Sequence, residues 1–269
     1  MDFELSSEEK CLQAEAREFV NREIRPLVPE IEQGNASPAE VVHRMARQGL
    51  FRLLVPKEYG GAYETVRSLP ICIVREELGR GYNFAAAAFA SNGLGIYPVI
   101  LAGSQEMKNR ILPGAASGDM LGAFALTEPD AGSDAGSLTT SALKDGGHYR
   151  INGSKCFISN AGFANYIVLF AKTDPTLGTK GISAIVVETG TKGYEITRTM
   201  KILSVDVVNE LRFKDCLVPR SHLLGDEGKG FVFGIKAETT LDRDDFGITW
   251  RHPKETFVGD QIQIKIRLI

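Results

Sequence analysis

Two stretches of this sequence gather residue types that could hold a flat, polar ligand. In the first, Phe124-Ala125-Leu126-Thr127-Glu128-Pro129-Asp130-Ala131-Gly132-Ser133-Asp134, a strand ends on a hydroxyl, and a Pro–Gly turn then presents a second hydroxyl and several backbone amides. Such a loop suits carbonyl, ring-nitrogen or phosphate groups. It also reads as a plain polar hairpin with an Asp-capped turn. In the second, Asn152-Gly153-Ser154-Lys155-Cys156-Phe157-Ile158-Ser159-Asn160-Ala161-Gly162, a hairpin turn feeds a strand. Strand residues two apart share a face, so Phe157 and Ser159 would offer an aromatic wall and a hydroxyl on one side, fit for a flat heterocycle. The alternative is a core phenylalanine and a serine at a strand end.

The elements that must position these stretches divide into a helical part and a strand-rich part. Ser6 and Glu9 form the S-x-x-E capping pattern, and Leu12, Ala16, Phe19, Val20 and Ile24 follow at helical spacing until Pro26 and Pro29. Ser37-Pro38-Ala39-Glu40 starts a second helix that runs to about Gly49. Further helices are expected near 65–79, 84–101 and 104–112, the last closed by Pro113-Gly114. From 121 onward short β-branched and aromatic runs predict strands at 121–127, 137–143, 148–152, 155–159, 165–172, 182–188, 193–199 and 208–213. Lys144–Gly147 and Asn152-Gly153 read as hairpin turns, so a compact sandwich or barrel is expected. After the Gly225–Gly230 connector, 231–243 reads as a helix start, and Ile262, Ile264, Ile266 and Leu268 alternate with polar residues as in a strand.

Composition narrows the function classes. Hydrophobic residues make up 43% and charged residues 24% of 269, ordinary for a globular chain. The net charge of −3 gives no positive field for nucleic acid. No apolar run approaches the ~20 residues of a membrane span. The acidic start MDFELSSEEK is unlike a secretory signal or an Arg-rich transit peptide. Cys11, Cys72, Cys156 and Cys216 lack metal or disulfide-framework spacing, and His43, His148, His222 and His252 are dispersed, so no metal site is expected and a reducing cytoplasm is the natural setting.

LTEPDAGSD followed by INGSKCFISNAG resembles the middle domain of acyl-CoA dehydrogenases. VPKEYGG, REELGRG, ILPGAASGDMLGAFALTEPDAGSD and FKDCLVPRSHLLGDEGKGF fit the same family in order, over about residues 1–242. The resemblance implies an α+β chain: an N-terminal all-α domain (1–118), a small antiparallel β-barrel or sandwich (119–225), and the truncated start of a C-terminal helical domain (226–269). It implies FAD as cofactor, with Phe124, Leu126 and Thr127 contacting the isoalloxazine and Thr127 donating to the ring, Ser133 near the flavin pyrophosphate and the substrate thioester, Phe157 covering one flavin face, Ser159 bonding the flavin, and Gly132 and Ile158 also among the cofactor-binding residues. Phe157 matches an aromatic that is usually Trp; Phe keeps the stacking and loses the indole donor.

The reaction so implied is α,β-desaturation of an acyl-CoA thioester, with an electron-transferring flavoprotein as acceptor and a homo-oligomer as the assembly; the alternative is a truncated, catalytically impaired remnant that binds flavin or acyl-CoA, or a subunit that needs a partner helical domain. The family's usual catalytic Glu lies in a bundle beyond the matching region. Asp244 falls near the position where a minority branch carries its base, and Asp242 belongs to a Leu-Asp pair beside the active site. The Arg usual after that pair falls at Asp245, and the Gly-x-Arg-x-Ser pattern is absent from Lys201–Asn209. Without a bundle, the apolar faces near 84–101 and 231–241 are expected to be exposed.

Overall fold

Residues 4–202, 207–233, 236–242 and 261–267 are described by the computed structural model. The first helix, α1 (Ser7–Phe19), opens on its capping box: Ser6 Oγ accepts the Glu9 N–H at 3.3 Å, and the Ser6 N–H donates to Glu9 Oε2 at 2.7 Å. A π-type turn continues to Ile24, and Pro26 stands at the head of α2 (Leu27–Glu32). α3 (Ala39–Arg47) runs out at Gly49, whose φ of 77° is the left-handed conformation glycine adopts at low cost. Then come α4 (Ser68–Gly81), α5 (Asn83–Ala102) and α6 (Gln105–Ser117). Glu77 of α4 is 1% exposed and locks α1 to α4, accepting from Arg17 at 2.7 Å and from Arg80 at 2.9 Å.

Two helices differ from expectation. α5 is a single 20-residue apolar helix, long enough by length and composition to cross a membrane, although no run of that length was expected. Phe84, Phe89, Ile96 and Val99 put it in the core, while Leu94 and Leu101 are exposed. α6 passes straight through Pro113-Gly114 to Ser117 and closes at Gly118 (φ 89°). A proline removes one N–H donor, and burial of Ala115 and Ala116 keeps the next turn helical.

The strands are β1 (Gly122–Ala125), β2 (Ser141–Asp145), β3 (His148–Ser159), β4 (Tyr166–Lys172), β5 (Ile182–Glu188), β6 (Tyr194–Lys201), β7 (Val207–Pro219) and β8 (Leu223–Leu224). They run in the order β6-β7-β3-β2-β4-β5-β8, with β1 beside β4. Most pairs are antiparallel, but β1 pairs with β4 in parallel and β2 touches β4 in parallel, so the expected antiparallel domain is a mixed sheet. β1 has no hairpin to β4 to reverse its direction. Asn152-Gly153 is no turn either. β3 runs unbroken along the 13-residue β7, and the register shifts between Ile151 and Gly153.

Alternation divides the sheet between two cores. Tyr166, Val168 and Phe170 of β4 pack with the helices, and Ile167, Leu169 and Ala171 face an inner core with Ile151, Leu211 and Phe213. α5 holds β1 closely. Asn92 Oδ1 accepts the Gly122 N–H at 2.9 Å, and a Cβ on Gly95 would sit 2.7 Å from the Gly122 carbonyl carbon.

The helix expected over 231–243 is a 3₁₀ turn at Gly230–Phe233 followed by β9 (Lys236–Asp242). β9 pairs antiparallel with β10 (Gln261–Arg267), the alternating tail. A partner in register, together with β-branched Thr239 and Thr240, favours the extended backbone there.

Candidate functional site

The first motif hangs between β1 and β2. Ala123 and Ala125 point into the inner core, and Phe124 and Leu126 point the other way and pack at the edge of the helix-side core. Phe124 is half-buried, its ring centroid 4.8 Å from that of Phe170, which lies 6.4 Å from Phe231. Beyond β1 the chain turns at Pro129-Asp130, where the Glu128 N–H donates to Ala131 O (3.0 Å) and the Ala131 N–H to Glu128 O (3.2 Å). Gly132 and Ser133 then emerge exposed, with open space where a Gly132 Cβ would point.

The second motif lies alongside. At a second register shift, between Lys155 and Ile158, Lys155 and Cys156 are both buried and Phe157 stands out. Phe157 has a φ of 57° and is 60% exposed. The reading of Phe157 as a core residue is thereby excluded. A bulky non-glycine residue in the left-handed region costs about 1–2 kcal/mol, and here it holds an aromatic ring out in the open. Ser159 is half-buried, and between the two Ile158 is 2% exposed in the inner core. Ile158, expected among the flavin contacts, therefore offers only its backbone. Asn160 (φ 66°) donates from Nδ2 to Ala88 O at 2.9 Å, tying the end of β3 to α5.

The two motifs are joined through β3. The Cys156 N–H donates to Thr127 O at 2.9 Å. Lys155 Nζ, with its side chain buried, donates to Leu126 O and to Glu128 Oε1, each at 2.8 Å. Glu128, 4% exposed, also accepts the Thr139 N–H (2.6 Å), the Thr139 hydroxyl (2.8 Å) and the Thr140 N–H (2.9 Å). These donors, the Lys155 ammonium first among them, outweigh burial and hold the Glu128 carboxyl down to about 2. Burial brings Lys155 down to about 8. Motif reading overlooked this pair, because a Glu and a Lys 27 residues apart give no local signal. No hydrogen bond from another described residue engages Thr127 Oγ1, Ser133 Oγ or Ser159 Oγ, so the three hydroxyls remain available to a ligand. The described backbone places Asp242 at the end of β9, opposite Gln261; Asp244 lies outside the described residues.

The end of β1, the loop that follows it and the neighbouring β3 thus carry an exposed aromatic ring, a second aromatic at the edge of the helix-side core, three hydroxyls and a turn rich in amides. That set fits a planar heterocycle with a polar tail. Residues 6–119 match the N-terminal domain model of acyl-CoA dehydrogenases, and residues 123–216 match the middle domain model. The chain belongs to the acyl-CoA dehydrogenase family. It is 40% identical over 241 residues to an acryloyl-CoA reductase (NADH) of Anaerotignum propionicum, covering 88% of this chain and 61% of that protein. It is 39% identical over 251 residues to a short-chain-specific acyl-CoA dehydrogenase of Clostridium acetobutylicum, covering 92% and 65%. An acyl-CoA dehydrogenase of Bacillus anthracis, solved in complex with FAD, superposes with a TM-score of 0.77 at 31% identity over 86% of this chain and 40% of that one. The chain therefore spans about three fifths of the length of these two curated relatives.

Proposed function

We propose that this chain carries the flavin-facing part of an FAD-dependent acyl-CoA dehydrogenase, acting on an acyl-CoA thioester. The observation that carries the reading is Phe157, an aromatic ring held out at a strained backbone beside the unengaged hydroxyls of Thr127 and Ser159. When bound, FAD supplies the acceptor for a hydride leaving the thioester's β-carbon. Phe157 would stack on one face of the ring system, and Phe124 and Leu126 would wall the other side. Thr127 and Ser159 would donate to ring heteroatoms, and the backbone of Ile158 would follow the ring edge. Gly132 and Ser133 would offer amides and a hydroxyl to pyrophosphate and to the thioester carbonyl. Polarising that carbonyl acidifies the α-proton.

Asp244 is our candidate base for the α-proton, and Asp242 a candidate substrate contact. The α-proton would pass to the carboxylate while the Cα=Cβ bond forms, which requires hydrogen-bond reach to the α-carbon. An electron-transferring flavoprotein as acceptor, a homo-oligomer or partner helical subunit, and a cytoplasmic setting complete the proposal. The free thiols of all four cysteines fit a reducing compartment. Anaerobic addition of a short acyl-CoA to the FAD-loaded chain tests the reading. Bleaching of the flavin's visible band is expected, and Asp244→Asn is expected to slow it at least tenfold. A band untouched by acyl-CoA of short, medium or branched chain would overturn the dehydrogenase reading.

A further inference from the structure

We infer that Lys155 and Glu128 form a positioning clamp for the candidate ligand loop, one buried ion pair that fixes where Thr127 and Ser133 stand relative to Phe157. The inference rests on the flavin reading for its ligand and on geometry for its mechanism. Lys155 belongs to β3, two residues before Phe157, and its ammonium reaches across to the Leu126 carbonyl and to the Glu128 carboxylate. Glu128 reaches the far end of the loop, where the Thr139 and Thr140 amides and the Thr139 hydroxyl donate to it. The loop from Leu126 to Thr140 is therefore held at both ends by one charged pair, and that pair is mounted on the strand carrying the aromatic ring. The Cys156 N–H to Thr127 O bond adds a backbone stitch at the same place.

The burial of Lys155 beside an outward Phe157 belongs to the same device. The register shift and the left-handed backbone of Phe157 break the alternation of β3, so that the Lys155 ammonium reaches under the loop while the Phe157 ring stands exposed. An ordinary alternating strand would put Phe157 and Lys155 on one face, and either the ring or the ammonium would lose its place. Between its tethered ends, the segment around Gly132 and Ser133 is exposed. The clamp thus leaves the ligand-facing atoms accessible while limiting their wander.

The test uses the 269-residue chain with Lys155→Met, which keeps the length and loses the donors. A milder companion, Thr139→Val, removes one hydroxyl donor from an exposed residue and retains the fold if Lys155→Met does not. Two readouts are taken: amide hydrogen exchange of the flavin-free protein and FAD affinity by fluorescence quenching. The expected result is faster exchange confined to about residues 127–139, with FAD affinity down at least tenfold for Lys155→Met and about threefold for Thr139→Val. Exchange unchanged in this loop in the folded variants would overturn the clamp. Faster exchange with unaltered FAD affinity would overturn its positioning role. A wild-type chain that takes up no FAD would count against the flavin reading, and loop exchange alone would then decide the clamp.

Discussion

Replacing Glu128 by Gln keeps the side-chain shape and removes the charge that faces Lys155 at 2.8 Å inside the protein. The cost follows from the carboxyl's own titration. A group held at about 2 when folded and near 4.5 when solvated contributes about 3 kcal/mol. Because the folded value is lowered, this stability is fully present above pH 4.5 and is lost as the pH falls through about 2. Removing one partner of a buried ion pair costs about 3–5 kcal/mol, since the other charge is left without a counterion. The two routes agree on roughly 3 kcal/mol at neutral pH. Urea unfolding at a series of pH values, with the slope m held to be common, measures it. Glu128→Gln is expected to unfold at lower urea at pH 7, and the gap from wild type is expected to close toward acid as wild-type Glu128 takes up its proton. A neutral-pH loss below about 1 kcal/mol, or a gap independent of pH, would refute the reasoning.

Other perturbations separate parts of the site. Phe157→Ala removes a ring that is 60% exposed, so Tm is expected to move by only a few degrees while FAD affinity falls about tenfold, read by flavin fluorescence. Gly95→Ala drives a Cβ to 2.7 Å of the Gly122 carbonyl carbon; a loss of about 2 kcal/mol or more is expected in thermal unfolding, through the α5–β1 contact. His222 Nε2 accepts from Arg110 at 3.3 Å and its Nδ1–H donates to Val186 O at 3.1 Å, and burial and the Arg110 charge push its pKa down. The unfolded chain therefore takes up this proton first, so stability falls as pH drops below 6.5. His222→Gln is expected to flatten that part of the stability curve.

Local signals in the sequence carried far. The Ser6–Glu9 capping box, the Gly49 stop and the Lys144–Gly147 hairpin depend on a few adjacent residues and stand in the structure as read. What failed depends on distant partners. Asn152-Gly153 has the composition of a turn, but β7 supplies partners on both sides of it, and a bulge absorbs the extra residue. Pro113 has the look of a helix stop, yet the burial of Ala115 and Ala116 carries α6 onward. Residues 231–243 have helical texture, and pairing with 261–267 makes Lys236–Asp242 strand. The same divide holds at the site. Thr127, Ser133, Phe157 and Ser159 were candidates from motif and resemblance alone. The outward aim of Phe157 and the Lys155–Glu128 link arise from the β3–β7 register and could not be read from either motif.

The central claim is that the site formed by the end of β1, its following loop and β3 holds a flavin, and the direct measurement is the visible absorbance of the purified chain after FAD is added and excess removed by gel filtration. The account predicts flavin bands co-eluting with the protein at close to one flavin per chain, and bands much weakened in a variant lacking both Thr127 Oγ1 and the Phe157 ring. A wild-type protein that elutes colourless would contradict it.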